Sequence, residues 1–169
     1  DVGIEFYLEL LEKEISKVKN NNIDENQEAE VIYNQNVYIP ENYIESAERR
    51  LFYYKKISLV TTKKEYLDLI EELLDKFGLV PLEVQNLINI SLIKINLQRM
   101  GVHKILIKDS SIVIYSKKFK KLKEIQIEIR NLNSEPKEIT KFLEEKSSIE
   151  EILKSDYEIV NGKFIIDNK

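Results

Sequence analysis

The side chains that most often perform chemistry are scarce in this chain of 169 residues. It contains one histidine, His103, and no cysteine, which excludes disulfides, thiolate chemistry and zinc sites built from cysteine and histidine. Its glycines, Gly3, Gly78, Gly101 and Gly162, lie too far apart to form a phosphate-binding loop or a dinucleotide-binding turn. A lone histidine is more often structural than catalytic, because a general base needs a positioned nucleophile or an orienting group. We therefore predict a non-catalytic chain that uses no cofactor and no metal.

A basic run, KKFKKLK, occupies residues 117–123 and could contact phosphates. Its lysines are Lys117, Lys118, Lys120, Lys121 and Lys123. The whole chain has a net charge of −4, without the basic footprint that is typical of nucleic-acid-binding domains. A solvated connection between two strands is the alternative interpretation of this run, and we favour it.

An acidic set, Glu71, Glu72 and Asp75, lies near the end of a predicted helix. Asp75 falls in the last helical turn, where the helix dipole disfavours negative charge by about 0.3–1 kcal/mol. A carboxylate in such a place needs a positive partner, which is either another domain or an internal arginine. The internal candidates are Arg49, Arg50 and Arg99. The residues alone leave both options open, because structural ion pairs perturb carboxylates as functional ones do.

Two helices joined by a tight corner are expected to position these acids. Thr62 followed by Glu65 forms a capping box that begins the first helix, and Gly78 ends it as a left-handed glycine does. Pro81 suits the start of the second helix, because a proline there loses no needed hydrogen-bond donor. Apolar residues cover most of the circumference of this second helix up to Met100, which predicts a helix buried nearly all round.

The remaining pattern is helical before this pair and mostly strand-like after it. Helices are predicted at 4–18, 45–59, 134–145 and 147–153, the last with a capping box of Ser147 and Glu150, and strands at 29–33, 104–108, 112–115 and 123–130. A hairpin is predicted over 157–166, because Asn161-Gly162 separates two apolar runs. The order indicates an α+β fold in which N-terminal helices surround a buried central helix, followed by a small antiparallel sheet with hairpins and short helices.

The run ELLDKFGLVP at residues 72–81 resembles the signature E-L-x-D-R-F-G-x-x-P of the C-terminal domain of bacterial transcription-repair coupling factors. The similarity covers roughly residues 2–108 and is specific over residues 38–105. Lys76 stands where the signature has arginine, which keeps the charge and loses the bidentate geometry of a guanidinium group.

The resemblance implies that this chain is part of a longer protein, which the missing initiator methionine also suggests. That parent would be a cytoplasmic, ATP-dependent DNA translocase that displaces stalled RNA polymerase, recruits nucleotide excision repair and contacts DNA through its motor domains, without a membrane partner. Residues 1–27 would lead from the motor domains, and residues 28–169 would form the C-terminal regulatory domain.

In the family this domain is an autoinhibitory clamp. It packs on an N-terminal module of the same protein and masks the surface that binds the damage-recognition ATPase of excision repair. The resemblance places Glu72 and Asp75 at the contact with basic residues of that module. The alternative is an accessory nucleic-acid-binding appendage of a helicase-like motor, which would use the basic run.

Overall fold

A computed structural model describes residues 29–35, 37–116 and 124–168 of the chain. The predicted helix at 4–18, the segment 1–27 and the basic run at 117–123 therefore lie outside the described residues. The described helices are α1 (Ala47–Ser58), α2 (Lys63–Phe77), α3 (Leu82–Arg99), α4 (Pro136–Glu144) and α5 (Ile149–Ile152). The described strands are β1 (Glu30–Tyr33), β2 (Val102–Ile107), β3 (Ser111–Ser116), β4 (Ile125–Arg130), β5 (Tyr157–Val160) and β6 (Lys163–Asp167).

The chain divides into two compact units. The helical unit contains Gln35–Leu92, and the sheet unit contains β1 and the chain from Ile93 onward, so helix α3 begins in one unit and ends in the other. The combination of helices with a separate sheet confirms the predicted α+β class.

Helices α1 and α2 of the helical unit lie close to their predicted bounds, and α1 begins two residues later than predicted. Helix α1 begins after Ser46, whose hydroxyl accepts a hydrogen bond from the backbone N–H of Arg49. Helix α2 begins after Thr62, which caps Glu65 in the same way, and it ends at Gly78. Gly78 has the expected positive φ of 88°, but its ψ of −164° lies outside the left-handed helical region. The chain therefore leaves this helix in an extended direction, rather than through the predicted left-handed cap.

Helix α3 is buried nearly all round, as its apolar circumference predicts. Exposed side chains occur only at its two ends, at Leu82, Gln98 and Arg99. Five residues of the helix are completely inaccessible: Val84, Leu87, Ile88, Ile93 and Leu97. The carbonyl of Pro81 accepts the first hydrogen bonds of the helix, from the N–H groups of residues 84 and 85. Proline thus stands at the helix start, where the N–H that it lacks has no helical partner to lose.

The sheet has six strands in the order β1-β2-β3-β4-β6-β5. The prediction of an antiparallel sheet is wrong in part, because β1 runs parallel to β2 and β6 runs parallel to β4. Parallel neighbours need a long crossover connection. Helices α1, α2 and α3 lie between β1 and β2 in the chain, and α4 and α5 lie between β4 and β6. Both crossovers therefore contain helices that the sequence predicted, and the second also includes strand β5.

One face of the sheet forms the core of the sheet unit. Ile105, Ile114, Ile127 and Phe164 lie side by side across four neighbouring strands, and all four are buried. Apolar residues of α3, α4 and α5 belong to the same core: Ile93, Leu97, Ile139, Leu143, Ile149 and Ile152. Neighbouring residues of β2, β3, β4 and β6 therefore supply one continuous apolar layer.

Two local predictions in the sheet unit have different outcomes. The hairpin β5–β6 is confirmed, and its turn residues Asn161 and Gly162 both have positive φ angles, of 51° and 76°. The N-cap of α5 lies one residue later than predicted, since the hydroxyl of Ser148 accepts a hydrogen bond from the N–H of Glu151, and the Glu151 carboxylate accepts one from the N–H of Ser147. Both Ser147 and Ser148 are able to cap a helix; in the structure Ser148 does so, and Ile149 and Ile152 of the helix are buried.

Candidate functional site

Glu72 and Asp75 lie three residues apart on helix α2, so their side chains leave neighbouring parts of the helix surface. Their environments differ. The side chain of Glu72 is 26% exposed and forms an ion pair with Lys56 of helix α1, with 2.7 Å between Nζ and Oε1. Asp75 is exposed, and no ion pair joins it to another residue in the part of the chain that the structure describes. The structure therefore gives Glu72 an internal partner and leaves Asp75 open to solvent.

The carboxylate of Glu72 belongs to a small polar group on the α1–α2 contact. The hydrogen bond from Lys56 and, more weakly, the Tyr53 hydroxyl lower the pKa of Glu72, against the opposing effect of burial. Burial, with a further contribution from Glu72, raises the pKa of Tyr53 to about 12. The second carboxylate oxygen, Oε2, is buried and has no hydrogen bond of normal geometry within the described residues. Glu72 is therefore held in its charged form by neighbours in the same unit.

Two of the three arginines considered as internal partners have other roles. Arg50 donates hydrogen bonds of 2.8 Å to the carbonyls of Ile44 and Glu45, just before helix α1. Arg99 donates to the carbonyls of Leu143 and Lys146, at the end of helix α4. Sequence analysis did not identify Lys56 as a partner, because no local pattern links residues on two different helices.

A groove of about 260 Å³ opens beside Glu72 between the end of α1 and the first turns of α2. Its apolar lining comes from Leu59, Val60 and Leu69, and its acidic lining from Glu65, Asp68 and Glu72. Lys56 is the basic residue on its wall. Lysine and arginine side chains combine an aliphatic stem with a charged end. The groove therefore suits a cationic side chain from another surface.

Other residues of the signature at 72–81 build the corner between α2 and α3. The ring of Phe77 contacts the rings of Tyr43 and Tyr53, with centroid distances of 5.8 Å and 5.4 Å. The Tyr43 hydroxyl lies 3.1 Å and 3.0 Å from the carbonyl oxygens of Leu73 and Gly78. Phe77, Gly78 and Pro81 are therefore explained by the fold. The position of Asp75 has no such explanation within the described residues.

His103, the single histidine of the chain, lies in strand β2 with its Nε2 atom 3.6 Å from a carboxylate oxygen of Glu124. Its Nδ1 atom is buried without a hydrogen bond to any described residue. No group of three or more potential metal ligands occurs among the residues that the structure describes. In the same part of the chain, no helix combines the length and apolarity that crossing a membrane requires.

Comparison with known proteins gives consistent matches. The family model described as TRCF domain matches residues 33–127. The transcription-repair-coupling factor of Borreliella burgdorferi is 30% identical over 137 residues, which are 81% of this chain and 11% of that protein. The transcription-repair-coupling factor of Staphylococcus epidermidis is 34% identical over 116 residues, 67% of this chain and 10% of that protein.

A solved structure is also similar, the crystal structure of the C-terminal domain of a transcription-repair coupling factor. It is 35% identical, covers 56% of this chain and 57% of its own, and has a TM-score of 0.49.

The chain belongs to the TRCF domain family, since the family model covers more than half of its residues. This confirms the resemblance that the signature at residues 72–81 indicated. The chain spans about a tenth of the length of the curated relatives that it matches.

Proposed function

We propose that this chain is the non-catalytic, autoinhibitory domain of a transcription-repair coupling factor. The parent would be an ATP-driven DNA translocase that displaces stalled RNA polymerase and recruits nucleotide excision repair. In the resting parent this domain holds an N-terminal module of the same protein and masks the surface that binds the damage-recognition ATPase. Membership of the family supports the role. One observation supports the proposed contact. Asp75 is exposed in the last turn of its helix, where the helix dipole disfavours a negative charge, and no described residue pairs with it.

The expected interaction energies suit a clamp that must open. An exposed ion pair contributes only about 0.2–1 kcal/mol. A covalent tether makes the contact intramolecular, with an effective concentration in the mM range for a short flexible linker. A contact that is weak between separate molecules therefore stays closed most of the time within one chain. It can open when the parent engages RNA polymerase.

The test is a charge reversal in the full-length parent. Asp75→Lys is the cleaner change, because Glu72 already pairs with Lys56 and its reversal would also disturb the fold. Lysine is favoured in the last turn of a helix, so Asp75→Lys should leave this domain folded. It should raise binding of the damage-recognition ATPase to the parent in the absence of polymerase.

Two further proteins complete the experiment. Deletion of residues 28–169 gives the fully unmasked level of binding, and Glu158→Lys reverses an exposed acid of strand β5 in the sheet unit. We expect Asp75→Lys to approach the deletion and Glu158→Lys to match the wild type. If the deletion raises binding and Asp75→Lys does not, the clamp exists without this contact. If the deletion has no effect, the proposed function is wrong.

A further inference from the structure

Four leucines of the helical unit are exposed within one short stretch of chain. Leu67 and Leu74 lie on helix α2, and Leu79 and Leu82 lie at the corner that follows it. Leu79 is 87% exposed, and Leu82 is 63% exposed. We call these four residues the leucine patch. Single exposed leucines are normal on a protein surface, whereas a large contiguous apolar patch is typical of a binding site.

The fold fixes the positions of these leucines. Leu67 and Leu74 are seven residues apart, so they lie two turns apart on the same side of α2. The corner is held by Tyr43 beneath Gly78 and by Gln85, whose side-chain amide donates a 2.9 Å hydrogen bond to the carbonyl of Val80. Leu79 therefore projects from a corner that is held on both sides.

Acidic residues border the leucine patch. Glu71 lies between Leu67 and Leu74 on the helix surface, since it is four residues after one and three before the other. Asp75 follows directly after Leu74, and both acids are exposed. A complementary surface would combine aliphatic side chains with lysine or arginine.

We infer that the leucine patch is the apolar centre of the clamp contact and docks on a basic, aliphatic surface of the parent's N-terminal module, with Glu71 and Asp75 at its rim. This inference rests on the proposed function. Charged rims chiefly orient two surfaces and speed their encounter, whereas apolar centres supply most of the affinity. Burying one leucine should favour the closed state about tenfold more than one exposed ion pair does.

The experiment uses the full-length parent with Leu74→Ser, Leu79→Ser or Leu82→Ser. Two changes in strand β5 serve as matched controls. Val160→Ser matches Leu74→Ser, since these side chains are 46% and 45% exposed, and Ile159→Ser matches Leu82→Ser at 60% and 63%. The readout is binding of the damage-recognition ATPase, measured at about 0.1 M and about 0.5 M salt, because exposed charge pairs are screened strongly at the higher concentration.

Each leucine variant should raise this binding by about three- to tenfold at both salt concentrations, with the controls unchanged. The effect of Asp75→Lys should shrink at high salt. Leu79 is almost fully exposed, so Leu79→Ser cannot act by disturbing the core. A response of Leu79→Ser therefore separates loss of docking from loss of folding.

The outcomes that overturn the inference are distinct. If Asp75→Lys and the deletion of residues 28–169 raise binding and the leucine variants do not, the proposed function stands and the leucine patch is not part of the contact. If the controls respond as strongly as the leucine variants, the patch has no special role. If the purified chain is a dimer that Leu79→Ser converts to a monomer, the patch binds a second copy instead. If the deletion itself has no effect, the proposed function and the inference both fail.

Discussion

The two units use their apolar residues differently. The sheet unit places a layer of isoleucines on one face of the sheet and buries it under helices, so its exposed large apolar residues are confined, among the described residues, to strand β5. The helical unit has a core of its own, which includes Ile44, Ile57, Leu73 and Leu87, and its described residues still include seven exposed large apolar side chains. They are Leu51, Phe52, Leu59, Leu67, Leu74, Leu79 and Leu82.

This difference separates residues that stabilise the fold from residues available for binding. In the helical unit, helix α2 buries Leu69 and Leu73 on one side and exposes Leu67, Leu74 and several acids on the other. The exposed side of a surface helix is normally polar and charged, so the fold accounts for the acids there but not for the exposed leucines. The family signature at residues 72–81 covers the end of this helix and includes Leu73 of the buried side and Leu74 of the exposed side.

The largest effect is expected where the core is deepest. Ile93 is completely inaccessible in helix α3, so Ile93→Ala should lower the free energy of unfolding by about 2–5 kcal/mol. Leu79→Ala removes the same kind of side chain from an exposed corner and should change it by less than about 0.5 kcal/mol. Urea denaturation of the purified chain measures both. Similar losses for the two variants would contradict the distinction between core and binding surface.

A smaller effect is expected at the α1–α2 contact. Glu72→Lys places a second ammonium group beside Lys56 and should cost about 1–2 kcal/mol, because the pair is partly shielded from solvent. Adding Lys56→Glu restores opposite charges in exchanged positions and should recover most of the loss. The coupling free energy from this double-mutant cycle is the measurement. A coupling near zero would mean that the ion pair does not stabilise the fold, and Glu72 would then be free for a partner.

Local signals of the sequence predicted the elements well. The Thr62 cap, the end of α2 at Gly78 and the Asn161-Gly162 turn each depend on a few neighbouring residues, so the sequence specifies them directly. The order of the strands in the sheet is not specified by neighbouring residues in this way. Strand β1 pairs in parallel with β2 across three intervening helices, and no local pattern records that pairing.

At the candidate site, too, local sequence signals predicted the residues but not the contacts that the packing of helices creates. The signature pointed to Glu72 and Asp75, but it did not show that only one of them has a partner within the described residues. Lys56 reaches Glu72 because α1 and α2 pack together, with the rings of Tyr53 and Phe77 in contact. The leucine patch is not evident from the sequence. Leu67 and Leu74 share the helical spacing of the apolar residues of α2, so periodicity alone predicts them on its buried side, whereas both are exposed.

The smallest effect is a pH dependence that belongs to Glu72. Its pKa in the folded chain is lower than the ordinary value of 4.5, chiefly because of the hydrogen bond from Lys56. A carboxyl group with a lowered pKa contributes stability above its ordinary pKa, and this contribution is lost as the pH falls through the folded-state value. Wild type should therefore be more stable than Glu72→Gln at pH 7, and the difference should disappear well below pH 4.5.

Lys56→Met provides the control, because it removes the largest cause of the lowered pKa and keeps a side chain of similar length. In the Lys56→Met background, Glu72→Gln should give a much smaller pH-dependent difference in unfolding free energy. If the full difference persists without Lys56, the charge on Glu72 is stabilised from elsewhere, and Tyr53 is the next group to replace, by Tyr53→Phe. If wild type and Glu72→Gln have equal stability at pH 7, the Lys56–Glu72 pair has no net effect on folding. The contrast between a structural Glu72 and an open Asp75 would then lose its energetic basis, since both acids would be equally available to a partner.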